Sequence, residues 1–90
     1  DPSSAEVEPL RTAAVLGAGS WGTALAIHAA RRGRPTVLWT RTPEHHAAMA
    51  AEGRNARYLP DFPFPPGLRT TADLGEALAG ADLVICGIPS

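Results

Sequence analysis

The chain has no lysine: its eight basic residues are all arginines, set against nine acidic ones, for a net charge of -1. That balance lacks the basic surplus on which nucleic-acid binding depends. It also removes lysine-based catalysis from these 90 residues. Cysteine is nearly absent, and the single Cys86 allows no internal disulfide and no cysteine-rich metal centre. No apolar run approaches the roughly 20 residues of a membrane span. Residues 1–10 lack the basic start and apolar stretch of a secretory leader, so a cytoplasmic location is expected. Ninety residues can build one modest core, but not two lobes with a cleft between them.

What is present is an alternation of strand and helix signals. Residues 1–10, with two prolines, three acids and two serines, read as a flexible tail. Thr12 to Leu16 is the first strand signal, and an alanine-rich helical stretch from Thr23 to Arg32 follows, stopped by Gly33. Thr36 to Thr40 is a second strand. Thr42-Pro43-Glu44 then supplies a hydroxyl N-cap, a proline at the first helical position and an acid in the first turn of a helix ending near Glu52 and Gly53. Residues 53–67, with four prolines, read as an irregular loop, and Leu68 to Thr71 as a short edge strand. A third helix is expected over Asp73 to Ala79, closed by Gly80. Asp82 to Gly87 is apolar without alternation, the pattern of a buried parallel strand. Cys86 within it is expected to be an inert buried residue. The chain stops at Pro89-Ser90, where a further helix should begin, which predicts a fragment of a longer protein.

The chemistry concentrates at Gly17-Ala18-Gly19-Ser20-Trp21-Gly22. G-x-G-x-x-G alone is a weak signal, but here it closes a strand and opens a helix, as dinucleotide binding requires. Gly17 permits the tight turn, Gly19 lets backbone approach a pyrophosphate, and Gly22 lets the helix pack closely on the strand. The free N–H groups from Ser20 to Gly22 then face the phosphates at the positive end of the helix dipole. An acid that would grip the ribose of NAD is missing after the second strand. The sequence there is Trp39-Thr40-Arg41-Thr42. A guanidinium attracts a 2′-phosphate that a carboxylate would repel, so Arg41 favours NADP over NAD. The pattern predicts an α/β fold: a three-layer, doubly wound parallel sheet of Rossmann type, truncated, with strand order 3-2-1-4 and Leu68–Thr71 as strand three. Residues 11–90 would form a partial NAD(P)-binding domain, with the substrate domain outside this chain.

Gly17-Ala18-Gly19-Ser20-Trp21-Gly22-Thr23-Ala24-Leu25-Ala26, with Val37-Leu38-Trp39 and Asn55-Ala56-Arg57-Tyr58-Leu59-Pro60, resembles the bacterial NAD(P)-dependent glycerol-3-phosphate dehydrogenases. The resemblance covers about residues 12–90 and only the amino-terminal part of that family. It implies that Ser20 and Trp21 contact the cofactor at the phosphate turn. It also implies that Arg41, with Thr42 beside it, holds the adenosine 2′-phosphate, and that Tyr58 lines the cofactor site. The implied activity is interconversion of sn-glycerol 3-phosphate and dihydroxyacetone phosphate, with catalytic residues beyond residue 90. The partners expected are a dinucleotide and a small phosphorylated substrate, with no nucleic acid and no membrane span; a homodimer is left open. Two alternatives stay open: a dehydrogenase of the 6-phosphogluconate or ketopantoate type, and a stand-alone nucleotide-binding module.

The remaining polar candidates have plainer readings. His45 and His46 are adjacent, so on a helix they diverge and read as surface residues rather than a metal face. His28 reads as a helix-surface or packed residue and Met49 as core. Pro60 to Pro66 reads as a rigid surface loop.

Overall fold

A computed structural model of the chain describes residues 12–86. The expected tail over residues 1–10, and the expected end of the chain at Pro89-Ser90, lie outside the described residues. The elements are β1 (Ala13–Leu16), α1 (Ser20–Arg31), β2 (Thr36–Trp39), α2 (Pro43–Glu52), β3 (Arg54–Asn55), β4 (Leu59–Pro63), β5 (Leu68–Thr71), α3 (Leu74–Leu78) and β6 (Leu83–Cys86).

Four strands form a parallel sheet in the order β5-β2-β1-β6. Leaving aside the short β3 and β4, this is the expected order 3-2-1-4, with Leu68–Thr71 at the far edge. Leu16 lies opposite both Trp39 and Cys86, and Trp39 lies opposite Thr71. All four strands therefore end level, and the loops that follow β1 and β2 emerge side by side. In a doubly wound sheet this is where the winding reverses and where ligands bind.

Strand alternation sorts the core. Val15 and Leu38 pack with Ala18, Ala26 and Met49, so α1 and α2 cover one face. Ala14 and Val37, equally buried, point to the other face. The crossover from β5 through α3 to β6 runs opposite to the one from β1 to β2. Right-handed crossovers then set α3, with its buried Ala77, against that second face.

Helix ends follow local chemistry, with two departures. Gly33 and Gly53 close α1 and α2 with φ of 87° and 68°, and the Gly53 N–H donates to the Met49 carbonyl at 2.9 Å. Asp73 caps α3, its Oδ1 accepting from the Glu76 N–H at 3.2 Å. The first departure is that α1 starts at Ser20 rather than Thr23, so half of the glycine motif is already helical. The second is that Thr42 stands at the N-cap of α2 but its side chain makes no capping bond.

Two further expectations are corrected. Residues 53–67 are not wholly irregular, because β3 and β4 pair antiparallel with a register shift between Arg54 and Asn55. The apolar pattern of β6 suggested burial on both faces, yet Val84 is 46% exposed and Cys86 is exposed. β6 is an edge strand that pairs only with β1 among the described residues, which leaves its flanks open.

Candidate cofactor site

A cleft of about 920 Å³ opens over the level ends of β1 and β2. Its floor is the turn that leaves β1. Gly17 has φ of 115°, where a side chain would be strained, and its N–H donates to the Trp39 carbonyl at 2.9 Å. The backbone thus swings from β1 across the end of β2. Gly19 is different. Its φ of -80° suits any residue, and a Cβ there would meet nothing within 4 Å. Neither backbone strain nor packing among the described residues calls for glycine at this position. What glycine does is keep clear the face of the turn that lines the cleft.

The first turn of α1 is left chemically open toward that space. Gly19 is its N-cap and makes no side-chain capping bond, and no acid occupies the turn. The Thr23 N–H is used by the Gly19 carbonyl at 2.9 Å, the first intrahelical bond. The N–H groups before it are among those a helix cannot satisfy itself, and they collect the positive end of the dipole. Gly22 is buried behind this turn and does not reach the cleft. Trp21 is 69% exposed, so it belongs to the rim and not to the core.

The opposite wall comes from the end of β2 and from the β3–β4 loop. Arg41 and Thr42 line it, and Arg41 makes no hydrogen bond or ion pair with any described residue. The Arg57 guanidinium carbon lies 5.4 Å from the centre of the Tyr58 ring, and the His45 ring lies 5.8 Å from it at a 59° tilt. The Ser20 hydroxyl donates to the Tyr58 carbonyl at 3.5 Å, tying this wall to the floor. Two guanidinium groups and no carboxylate line the cleft, which makes it attractive to an anion. The buried indole Nε1 of Trp39, another lining residue, has no hydrogen-bond partner among the described residues. A polar ligand with acceptor atoms fits that arrangement. Among the described residues no cluster of His, Cys, Asp or Glu could hold a metal, and no helix is long and apolar enough to cross a membrane.

Gly17, Gly19, Ser20, Trp21, Arg41, Thr42 and Tyr58, all singled out from sequence, thus meet at one cleft, with Gly22 behind it. Sequence reasoning missed Trp39, Thr40, His45, Asn55 and Arg57 as parts of this site. His45 and His46 are not simple surface residues. His46 Nδ1 bonds Thr70 Oγ1 at 2.8 Å, while His45 reaches Thr40 and Asn55 at 3.4 Å and 3.0 Å. Of these residues only Asn55 and Arg57 lay in a string already singled out, Asn55-Ala56-Arg57-Tyr58, and Asn55 sits beneath the turn.

The likeness to known proteins follows this geometry. The family described as NAD-dependent glycerol-3-phosphate dehydrogenase N-terminus matches residues 12–90. The glycerol-3-phosphate dehydrogenase [NAD(P)+] of Thioalkalivibrio sulfidiphilus is 60% identical over 77 residues, covering 86% of this chain and 23% of that protein. The protein of the same name from Legionella pneumophila (strain Corby) is 51% identical over 80 residues, covering 89% and 24%. Among solved structures, glycerol-3-phosphate dehydrogenase from Coxiella burnetii superposes with a TM-score of 0.82 at 45% identity, covering 86% of this chain and 24% of that one. The chain therefore spans about a quarter of the length of the relatives it matches. From the strand order, the glycine turn and a match that runs through residue 90, the chain belongs to the family of the NAD-dependent glycerol-3-phosphate dehydrogenase N-terminus.

Proposed function

We propose that residues 11–90 are the cofactor-binding part of an oxidoreductase that interconverts sn-glycerol 3-phosphate and dihydroxyacetone phosphate. The observation that carries this reading is the acid-free cleft at the N-terminus of α1, floored by the glycine turn and flanked by Arg41. The family and its NAD(P)-dependent members support the same assignment.

In this reading the residues divide the work by chemistry. Gly17 turns the chain, and Gly19 leaves room for a pyrophosphate against bare backbone. The N–H groups of Ser20 and Trp21 bind its charge with help from the helix dipole, and Gly22 packs the helix behind them. Arg41 offers a guanidinium to an adenosine 2′-phosphate, with the Thr42 hydroxyl beside it, and so favours NADP over NAD. Trp21 and Tyr58 offer aromatic faces at the rim. The dinucleotide, when bound, supplies or accepts the hydride; this chain binds it, orients it and excludes water from its phosphates. The small phosphorylated substrate and the group that moves a proton to or from its oxygen would be held by residues outside these 90. A cytoplasmic location belongs to the same proposal.

The test is dihydroxyacetone phosphate-dependent oxidation of NADPH by the full-length polypeptide and by the 90-residue chain alone. Turnover by the first and none by the second is expected, because positioning and proton transfer need groups this chain lacks. A full-length polypeptide that leaves this ketone untouched would overturn the reading.

A further inference from the structure

Beneath the glycine turn lies a side chain that no step above uses. Asn55, on β3, is fully buried, and it is nevertheless among the most completely hydrogen-bonded groups in the chain. Its amide nitrogen donates to the Ala18 carbonyl and to Thr23 Oγ1, each at 2.8 Å. A backbone carbonyl can only accept, so the amide orientation is fixed. Its Oδ1 accepts from the Tyr58 N–H at 3.3 Å and meets His45 Nε2 at 3.0 Å. That oxygen has no proton to give, so the His45 nitrogen is the donor. All four bonding positions of the amide are filled.

The bond to Ala18 bears on the cleft through the geometry of one peptide group. The Ala18 C=O and the Gly19 N–H belong to the same planar unit and point in opposite directions, and no described peptide is cis. With the carbonyl drawn inward to Asn55, the Gly19 N–H is turned outward, toward the cleft that Gly19 lines. Reversing this peptide would present an oxygen, with its partial negative charge, to any phosphate in the cleft. Glycine at 19 makes such a reversal easy, because it tolerates nearly every backbone angle. The residue that gives the pyrophosphate its room therefore needs an external hold on its orientation.

We propose that Asn55 is a positioning residue for cofactor binding: it locks the Ala18–Gly19 peptide with its N–H facing the pyrophosphate. The inference rests on the cofactor reading above and adds to it a residue that never touches the ligand. Asn55 lies 37 residues from Ala18 in the chain. The β3–β4 hairpin is then present to carry this amide under the turn, as well as to set Tyr58 at the rim.

The discriminating variant is Asn55→Asp in the full-length polypeptide. It keeps an oxygen for the Tyr58 and His45 donors and removes the amide donor shared by Ala18 and Thr23. The Thr23 hydroxyl can turn and donate to the new oxygen, whereas the Ala18 carbonyl cannot. Titration calorimetry is run with NADPH and with adenosine 2′-monophosphate, which carries the Arg41-directed phosphate and no pyrophosphate. The added charge lies nearer the pyrophosphate than the 2′-phosphate and repels NADPH more. The neutral Asn55→Leu variant is therefore titrated beside it, and the readout is the ratio of the two losses found in both variants. Affinity for NADPH should fall about tenfold or more beyond any fall for the nucleotide, the loss expected for one hydrogen bond to a charged group. Equal losses for the two ligands, or no loss for either, overturn the inference. If the variants do not fold, the unmutated protein decides through the amide signal of 15N-labelled Gly19. It should move on adding NADPH and stay in place with adenosine 2′-monophosphate; a signal indifferent to NADPH overturns the proposal. A parent that binds no dinucleotide removes the cofactor reading and this inference together. A parent that binds, with a folded Asn55→Asp variant that binds NADPH equally well, removes this inference alone.

Discussion

At the residue scale, the two glycines of the turn do different physical work, and this separates their predicted effects. Gly17 sits at φ of 115°, so Gly17→Ala should destabilise the fold by about 1–2 kcal/mol in a urea melt, through backbone strain. Arg41 has no described partner to lose, so Arg41→Asp should leave stability nearly unchanged and act on the ligand. A charge-assisted contact of about 1.5–3 kcal/mol gives roughly a 10- to 100-fold preference for NADPH over NADH. Exposure at the rim pulls this toward the lower end and makes it weaken with salt. Dissociation constants for both cofactors, in the parent and in Arg41→Asp at low and high salt, check it. The aspartate should reverse the preference; an unchanged ratio makes Arg41 a bystander.

Elements are where sequence was most and least informative. β1, the glycine turn and α1 were legible because strand, turn and helix signals abut and each demands the next. The helix start was still misplaced by three residues, since glycine and serine score poorly for helix but suit a first turn left open to a ligand. β3 was illegible, because a two-residue strand, Arg54–Asn55, has no periodicity, and its partner contains Pro60 and Pro63. The burial of Asn55 was illegible too: it depends on Ala18 and Thr23, more than thirty residues away. Thr42 was read as a cap and Asp73 as the first residue of its helix, yet only Asp73 makes a capping bond. Asp73→Ala should therefore cost about 1 kcal/mol of stability, and Thr42→Ala only a few tenths, by chemical denaturation. Equal costs would mean that the two helix starts are capped alike in solution.

For the molecule as a whole, strands that end level gather the turn, Arg41 and the β3–β4 loop at one edge, while α1, α2 and α3 cover the two faces of the sheet. β6 was read as buried because its apolar run fits a central strand; its exposure reflects its edge position, which composition does not report. A ligand that fits the gathered edge couples to the stability of everything beneath it, because binding to the folded state alone raises the melting temperature. The most direct measurement is the melting temperature of the full-length polypeptide with and without saturating NADPH, in the parent and in Gly19→Val. A Cβ added at position 19 meets no described atom within 4 Å and no forbidden φ, so the two proteins should melt close together without ligand. NADPH should then raise the parent by a few degrees and leave Gly19→Val where it was. A Gly19→Val protein that gains as much from NADPH as the parent would show that the glycine turn does not hold the pyrophosphate.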